Sequence, residues 1–190
     1  KDSWMSKHMI IFIDSGDTII DESTEIRNER DVVISARCIP GAAEALRRLH
    51  DEGYTIAMVA DGLHDSFENM FKENGLYDIF SARVYSEDVG VSKPDARMFR
   101  AAMDALGLRD ADIPRIVMVG NNLKRDVRGA NALGITSIFQ AWTPRYPKVP
   151  EEAGDHPDYT IQSPDELPAL MDCLECAWVA GKTGRGEKLS

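Results

Sequence analysis

Three short polar loops follow apolar runs in this chain: Asp14-Ser15-Gly16-Asp17-Thr18, Ala60-Asp61-Gly62 and Gly120-Asn121-Asn122. A carboxylate such as Asp14, fixed at the end of a buried strand with an oxygen exposed, is a candidate nucleophile. By forming a covalent intermediate it would split one hard displacement into two easier steps. Lys93 and Asp126 add a cation and a second carboxylate. Small polar residues also suit ordinary turns between strand and helix, so none of these loops is diagnostic alone.

The elements that must position them follow from the hydropathy pattern. Short runs rich in β-branched residues at 9–13, 55–59, 116–119 and 135–139 predict buried strands, with weaker ones at 83–85 and 158–161. Between them the spacing predicts helices over 41–51, 64–74, 95–106, 124–133 and 164–179, the first four ending at glycines. This alternation is the sequence form of a mostly parallel sheet covered on both faces, a three-layer α/β/α arrangement of the flavodoxin or Rossmann kind. In such a sheet ligands bind beyond the carboxyl ends of the strands, so the three loops are expected to line one mouth.

Taken in order, these segments resemble the haloacid dehalogenase (HAD) superfamily of phosphatases and related hydrolases. The first motif is Ile10-Ile11-Phe12-Ile13-Asp14-Ser15-Gly16-Asp17-Thr18, the second Ile56-Ala57-Met58-Val59-Ala60-Asp61-Gly62. The third is Gly90-Val91-Ser92-Lys93-Pro94-Asp95, and the fourth Val117-Met118-Val119-Gly120-Asn121-Asn122, with Asp126 following. The likeness runs from about residue 9 to 172, and its specificity lies in order and spacing together.

The resemblance implies an Mg²⁺-dependent phosphatase that passes through an aspartyl-phosphate on Asp14. It implies metal ligation by Asp14, the backbone carbonyl of Gly16, Asn121 and Asp126. Ser15, Gly16, Ala60, Asp61, Gly62 and Lys93 would hold the phosphoryl group, with Lys93 neutralising Asp14 and the phosphate. If Pro94 opens a helix, Lys93 stands at its cap, a position that disfavours a cation; Ser92 is the alternative cap.

Three positions depart from the family pattern. Gly16 stands where these phosphatases usually carry the general acid/base, a group that typically contributes 10²–10⁴-fold. Asp17, one residue later, either reaches the same space as a catalytic acid or serves as a capping carboxylate. Ala60 lacks the hydroxyl that usually donates to phosphate, leaving the backbone N–H groups of Asp61 and Gly62 as the cradle. Asn121 replaces a carboxylate and lowers the negative charge available to a cation. These changes keep open a non-phosphatase member of the superfamily, of dehalogenase or phosphonatase type, and a phosphate- or Mg²⁺-binding protein without catalysis.

Members of the superfamily also carry a cap between the first and second motifs or between the second and third. Here only residues 21–38 are free for one, enough for a hairpin, so the site is expected to be capless or nearly so. An open site admits bulky phosphorylated substrates, or takes a neighbouring subunit of a homo-oligomer as its lid.

With 190 residues, 22 basic and 32 acidic side chains, the chain has a net charge of −10. That length suits one domain, expected over 9–179, with 1–8 and 180–190 as flexible ends and Met5 or Met9 as the start. The acidity argues against nucleic acid and anionic membrane surfaces as partners. No apolar run approaches the ~18 residues of a membrane helix, and three cysteines cannot build a disulfide framework, which favours the cytoplasm. Cys173-x-x-Cys176 lies on the last helix and reads as core or half-buried thiols, and His64 as a helix-start histidine without a role.

Overall fold

The apolar runs become the central strands of a computed structural model that describes residues 6–181. β1 (Ile10–Ile13) is buried at every position and lies between β4 (Thr55–Ala60) and β6 (Ile116–Gly120), parallel to both. β5 (Ala82–Tyr85) extends the sheet beyond β4, while β7 (Thr136–Gln140) and β8 (Tyr159–Ile161) extend it beyond β6. The order is therefore β5-β4-β1-β6-β7-β8, all parallel. Chain progression runs outward on one side of β1, then returns to the other side. This reversal opens a crevice beside the carboxyl end of β1, where Asp14 sits.

Side chains alternate across the sheet and build two cores. Ile11, Ile13, Ile56, Met58, Val117 and Val119 pack on the face covered by α1 (Ala42–Asp51), α2 (His64–Glu73) and α6 (Leu167–Val179). Ile10, Phe12, Ala57, Val59, Ile116 and Met118 pack on the other, under α4 (Ala96–Ala105) and α5 (Arg128–Leu133). A short α3 (Ser86–Val89) follows β5. The three-layer expectation holds, with six parallel strands.

Between the first and second motifs the chain forms one antiparallel hairpin, β2 (Ile20–Arg27) and β3 (Val33–Cys38). No further domain is inserted there or between β4 and Lys93 among the described residues, so the cap is minimal. The hairpin packs on α2, with the Ser66 hydroxyl accepting from the Val33 N–H at 2.9 Å.

Several local expectations change. Neither Lys93 nor Ser92 caps α4; the cap is Asp95, whose carboxylate accepts from the Arg97 N–H. Residues 124–133 are not one helix. Leu123–Val127 is a π-helical turn that passes into α5, begun by the Asn122 side chain accepting from the Lys124 and Arg125 N–H groups. Cys173 and Cys176 are exposed, because Leu167, Met171 and Leu174 take the inward stripe of α6. Of the expected N-terminal tail, residues 1–5 lie outside the described residues, but Lys7 and His8 are tied down: the Lys7 N–H donates to the Gly53 carbonyl, the His8 N–H to Glu175. At the other end, Ala180 and Gly181 finish α6 and residues 182–190 lie outside the described residues. No described helix is long and apolar enough to cross a membrane.

Candidate active site

The carboxyl ends of β1, β4 and β6 converge on one polar cavity of about 60 Å³, room for a few water-sized groups. It is lined by Asp14, Gly16, Asp61, Lys93, Asn121 and Asp126 from the four motifs, together with Glu22, Asn122, Arg125 and Tyr146. Asp14 is the first residue beyond β1, held there by its N–H donating to Val119 O at 2.9 Å.

Lys93 is the hub. Its ammonium donates to Asp14 Oδ1 at 2.9 Å, Asp126 Oδ1 at 2.6 Å and the Val59 carbonyl at 2.7 Å, and its side chain is 1% exposed. Burial pulls the Lys93 pKa down, but Asp126, Asp14 and Asp61 outweigh it and hold the pKa above the ordinary lysine value. The ammonium is thus a fixed positive charge against the nucleophile candidate. The Lys93 N–H also donates to Asp61 Oδ1 at 3.0 Å, so Asp61 braces the third-motif loop.

Asp126 reaches the site because the π-helical turn brings it back over the end of β6. Its Oδ2 accepts from the Asn122 N–H at 3.1 Å. Gly120 is required for this approach, since a Cβ there would lie 2.2 Å from Asp126 Cγ. A π turn at a functional site fits its usual placement.

The cavity holds four carboxylates (Asp14, Glu22, Asp61, Asp126) against two cations (Lys93, Arg125). Turned one way, the Asn121 amide sets its oxygen 3.0 Å from Asp14 Oδ2 and 3.3 Å from the Gly16 carbonyl oxygen, three acceptors facing one another; turned the other, its NH₂ donates to both. Adjacent oxygens around an octahedral Mg²⁺ lie ~2.9 Å apart, from bonds of ~2.0–2.1 Å, and the separations of the Asn121 amide from Asp14 Oδ2 and from the Gly16 carbonyl are of that order. The described residues hold no cluster of three or more His, Cys, Asp or Glu with metal spacing. Asp14, Asp126, the Gly16 carbonyl and the Asn121 amide are oxygen donors of the kind that suit Mg²⁺.

Other sequence-predicted residues fall elsewhere. Asp17 lies outside the cavity: wholly buried at φ 49°, it accepts from the Glu22 N–H at 3.1 Å and from Arg145 Nε at 2.7 Å. It is a turn and ion-pair residue, which corrects the catalytic alternative. Ser15 is also fully buried, its hydroxyl has no partner, and its carbonyl accepts from Thr18, Ile19 and Ile20 N–H groups. Ala60 is sealed in β4. Gly62 is unavailable for the expected cradle, because its N–H already donates to Ser86 Oγ at 2.8 Å. His64 pairs outside the cavity with Asp88 at 2.8 Å and Glu68 at 3.2 Å.

Glu22 went unnoticed in the sequence. It shares a strand face with the buried Ile20, and an acid on the inward face of a hairpin strand is the signal that could have found it. Its carboxyl pKa is raised to about 7, by burial first and then by Asp17 and Glu25, against the pull of Arg145. Tyr146 lies outside the four motifs, and Arg125, within the fourth, was given no role there. With Asn122 they also line a neighbouring hollow of about 270 Å³, together with Leu123, Lys124, Pro147, Val149 and Asp155.

A buried carboxylate–lysine–carboxylate group at the switch point of a parallel sheet, beside a single hairpin, is the arrangement of a HAD-type hydrolase. The family model for haloacid dehalogenase-like hydrolases matches residues 3–134, and the chain belongs to that family. It is 30% identical over 139 residues to the glyceraldehyde 3-phosphate phosphatase of Pyrococcus furiosus, covering 73% of this chain and 55% of that protein. It is 33% identical over 143 residues to the (S)-2-haloacid dehalogenase of Pseudomonas sp. strain YL, covering 75% and 56%. The chain thus spans about half the length of these relatives. Among solved structures, a HAD phosphatase from Thermococcus onnurineus shares the fold with a TM-score of 0.69 at 20% identity, over 86% of this chain and 97% of that one.

Proposed function

We propose that this hydrolase is an Mg²⁺-dependent phosphomonoesterase acting through an aspartyl-phosphate on Asp14. The observation that carries the reading is the Lys93 ammonium, buried and bonded to one oxygen of Asp14 while the other faces the cavity beside Asn121 and Gly16. Lys93 and Asp126 orient the carboxylate. Lys93 also remains charged against the incoming dianion, its three N–H donors already held by Asp14, Asp126 and the Val59 carbonyl. A divalent cation on Asp14, Gly16 O, Asn121 and Asp126 would supply the remaining charge neutralisation. The small polar cavity suits a phosphoryl group, and the neighbouring hollow, with Leu123, Pro147, Val149 and Tyr146, suits the leaving group. With a hairpin and no inserted domain beside it among the described residues, the site suits large phosphorylated substrates.

The charged lining favours phosphoryl over haloacid chemistry, which needs an apolar enclosure around the reacting carbon. The test is a panel of phosphate esters with and without Mg²⁺, beside a 2-haloacid. Metal-dependent phosphate release that Asp14→Asn abolishes is expected. Halide release without phosphatase activity selects the dehalogenase reading, and Mg²⁺ or phosphate binding without turnover selects the non-catalytic one.

A further inference from the structure

We infer that Glu22 is the proton donor and acceptor of this site, supplying from the hairpin the group that position 16 lacks. The inference rests on the phosphatase reading and adds a residue to it.

The geometry is direct. A Cβ placed on Gly16 would lie 1.9 Å from Glu22 Oε1, 2.8 Å from its Cδ and 3.1 Å from its Cγ. The Glu22 carboxyl therefore fills the space that a side chain at position 16 would enter. It lines the same cavity as Asp14, Lys93 and Asp126. Among the described residues no donor hydrogen-bonds to it, and its ion-pair partner, Arg145 Nε, stands 3.7 Å from Oε2. A carboxyl so placed retains an oxygen for a substrate or water.

Its position is set from behind. Asp17 accepts from the Glu22 N–H and from Arg145, so the αL turn at Asp17 and the arginine fix where β2 begins. Gln140 donates to the Asp17 and Thr18 carbonyls at 3.3 and 3.0 Å and locks the same turn. Asp17 is thus a positioning residue, and the longer glutamate reaches across from the next strand.

In the first step an oxygen of Asp14 bonds to phosphorus as the ester P–O bond breaks, and the Glu22 proton passes to the departing oxygen, releasing an alcohol. In the second, Glu22 as carboxylate takes a proton from water while the water oxygen bonds to phosphorus. The Asp14–phosphorus bond breaks, inorganic phosphate leaves, and Glu22 is protonated again.

The experiment measures single-turnover rates for one alkyl and one aryl phosphate, and the lifetime of the phosphorylated enzyme, in wild type, Glu22→Gln, Glu22→Ala and the double variant Gly16→Asp/Glu22→Ala. Glu22→Gln should slow the alkyl substrate ~10²–10³-fold. The aryl substrate, whose leaving group departs as a stable anion, should slow far less. The phosphoenzyme should persist at least ~10-fold longer, within the contribution of a general base. The double variant should recover alkyl turnover at least tenfold over Glu22→Ala. If wild type works through Asp14 but Glu22→Gln slows both substrates equally, or neither, Glu22 is not the acid and only this inference falls. If wild type turns over neither ester and traps no phosphate on Asp14, the phosphatase reading falls and takes this one with it.

Discussion

The two ends of β1 each hold a carboxylate, and the contrast separates structural from reactive charge. At the amino end Glu175 is saturated: Oε1 accepts from the His8 N–H at 2.9 Å and meets His8 Nδ1 at 2.9 Å, and Oε2 accepts from the Met9 N–H at 2.8 Å. At the carboxyl end Asp14 has one oxygen on Lys93 and the other facing acceptors and the cavity. Both hold charge near the same strand. Only Asp14 keeps an oxygen without a protein donor in one amide setting, and that leaves it available to a cation or an electrophile.

The largest effect that tests this contrast is Asp14→Asn. It should lower kcat at least ~10⁴-fold, as loss of a nucleophile does. Stability should change by less than about 1 kcal/mol, because relief of repulsion with Asp126 and Asp61 offsets the lost attraction to Lys93, whose charge Asp126 still pairs and whose N–H the Asn oxygen still accepts. Phosphate release and a melting curve on the same preparation decide it. A fully active variant would end the nucleophile assignment.

Lys93→Met should damage both properties. Removing the buried ammonium leaves Asp14 and Asp126 facing each other, a loss of ~3–5 kcal/mol when one partner of a buried pair is deleted. Denaturant unfolding should show it as a lower midpoint at unchanged m-value. A midpoint equal to wild type would mean that the carboxylates are neutral or metal-paired without Lys93.

These residues were legible because each stands at a fixed distance from a strand end that the apolar runs mark. Asp14 follows Ile13, and the glycine that lets Asp126 approach closes β6. The hairpin side was illegible for a physical reason. Where Glu22 points depends on an αL turn at Asp17 and on Arg145, which lies 128 residues from Asp17 in sequence. Periodicity gives strands and helices; it does not give the return angle of a hairpin. The same limit hid the π-helical turn, whose helical pattern over 124–133 reads as continuous.

Glu175→Gln should do the reverse of Asp14→Asn. An amide in that place points N–H groups at backbone N–H groups, costing ~1–3 kcal/mol. For a chain of this size that is a Tm lower by roughly 3–10 °C. Phosphatase kcat should remain that of wild type, since Glu175 lies at the far end of β1. A parallel fall in kcat would show that the two ends are coupled through the strand.

The smallest effect is a titration of opposite sign at Glu175 and at Glu22, beside Asp14. For Glu175 burial raises the pKa, but hydrogen bonds from His8 and Met9 N–H groups outweigh it and leave the group below the ordinary value. Its contribution is full above the unfolded pKa of 4.5 and is lost as pH falls through the folded value. Glu22, raised from 4.5 to about 7, binds a proton in the folded state before the unfolded one does. Its contribution is full below pH 4.5 and is lost as pH rises to about 7. With that side chain 30% exposed and solvent screening its charges, the loss is about 1 kcal/mol. Urea unfolding from pH 3.5 to 8 should show both limbs. Glu175→Gln should flatten only the acid limb, and Glu22→Gln only the decline between 4.5 and 7. A decline that persists in Glu22→Gln would place the titrating proton on another cavity carboxyl.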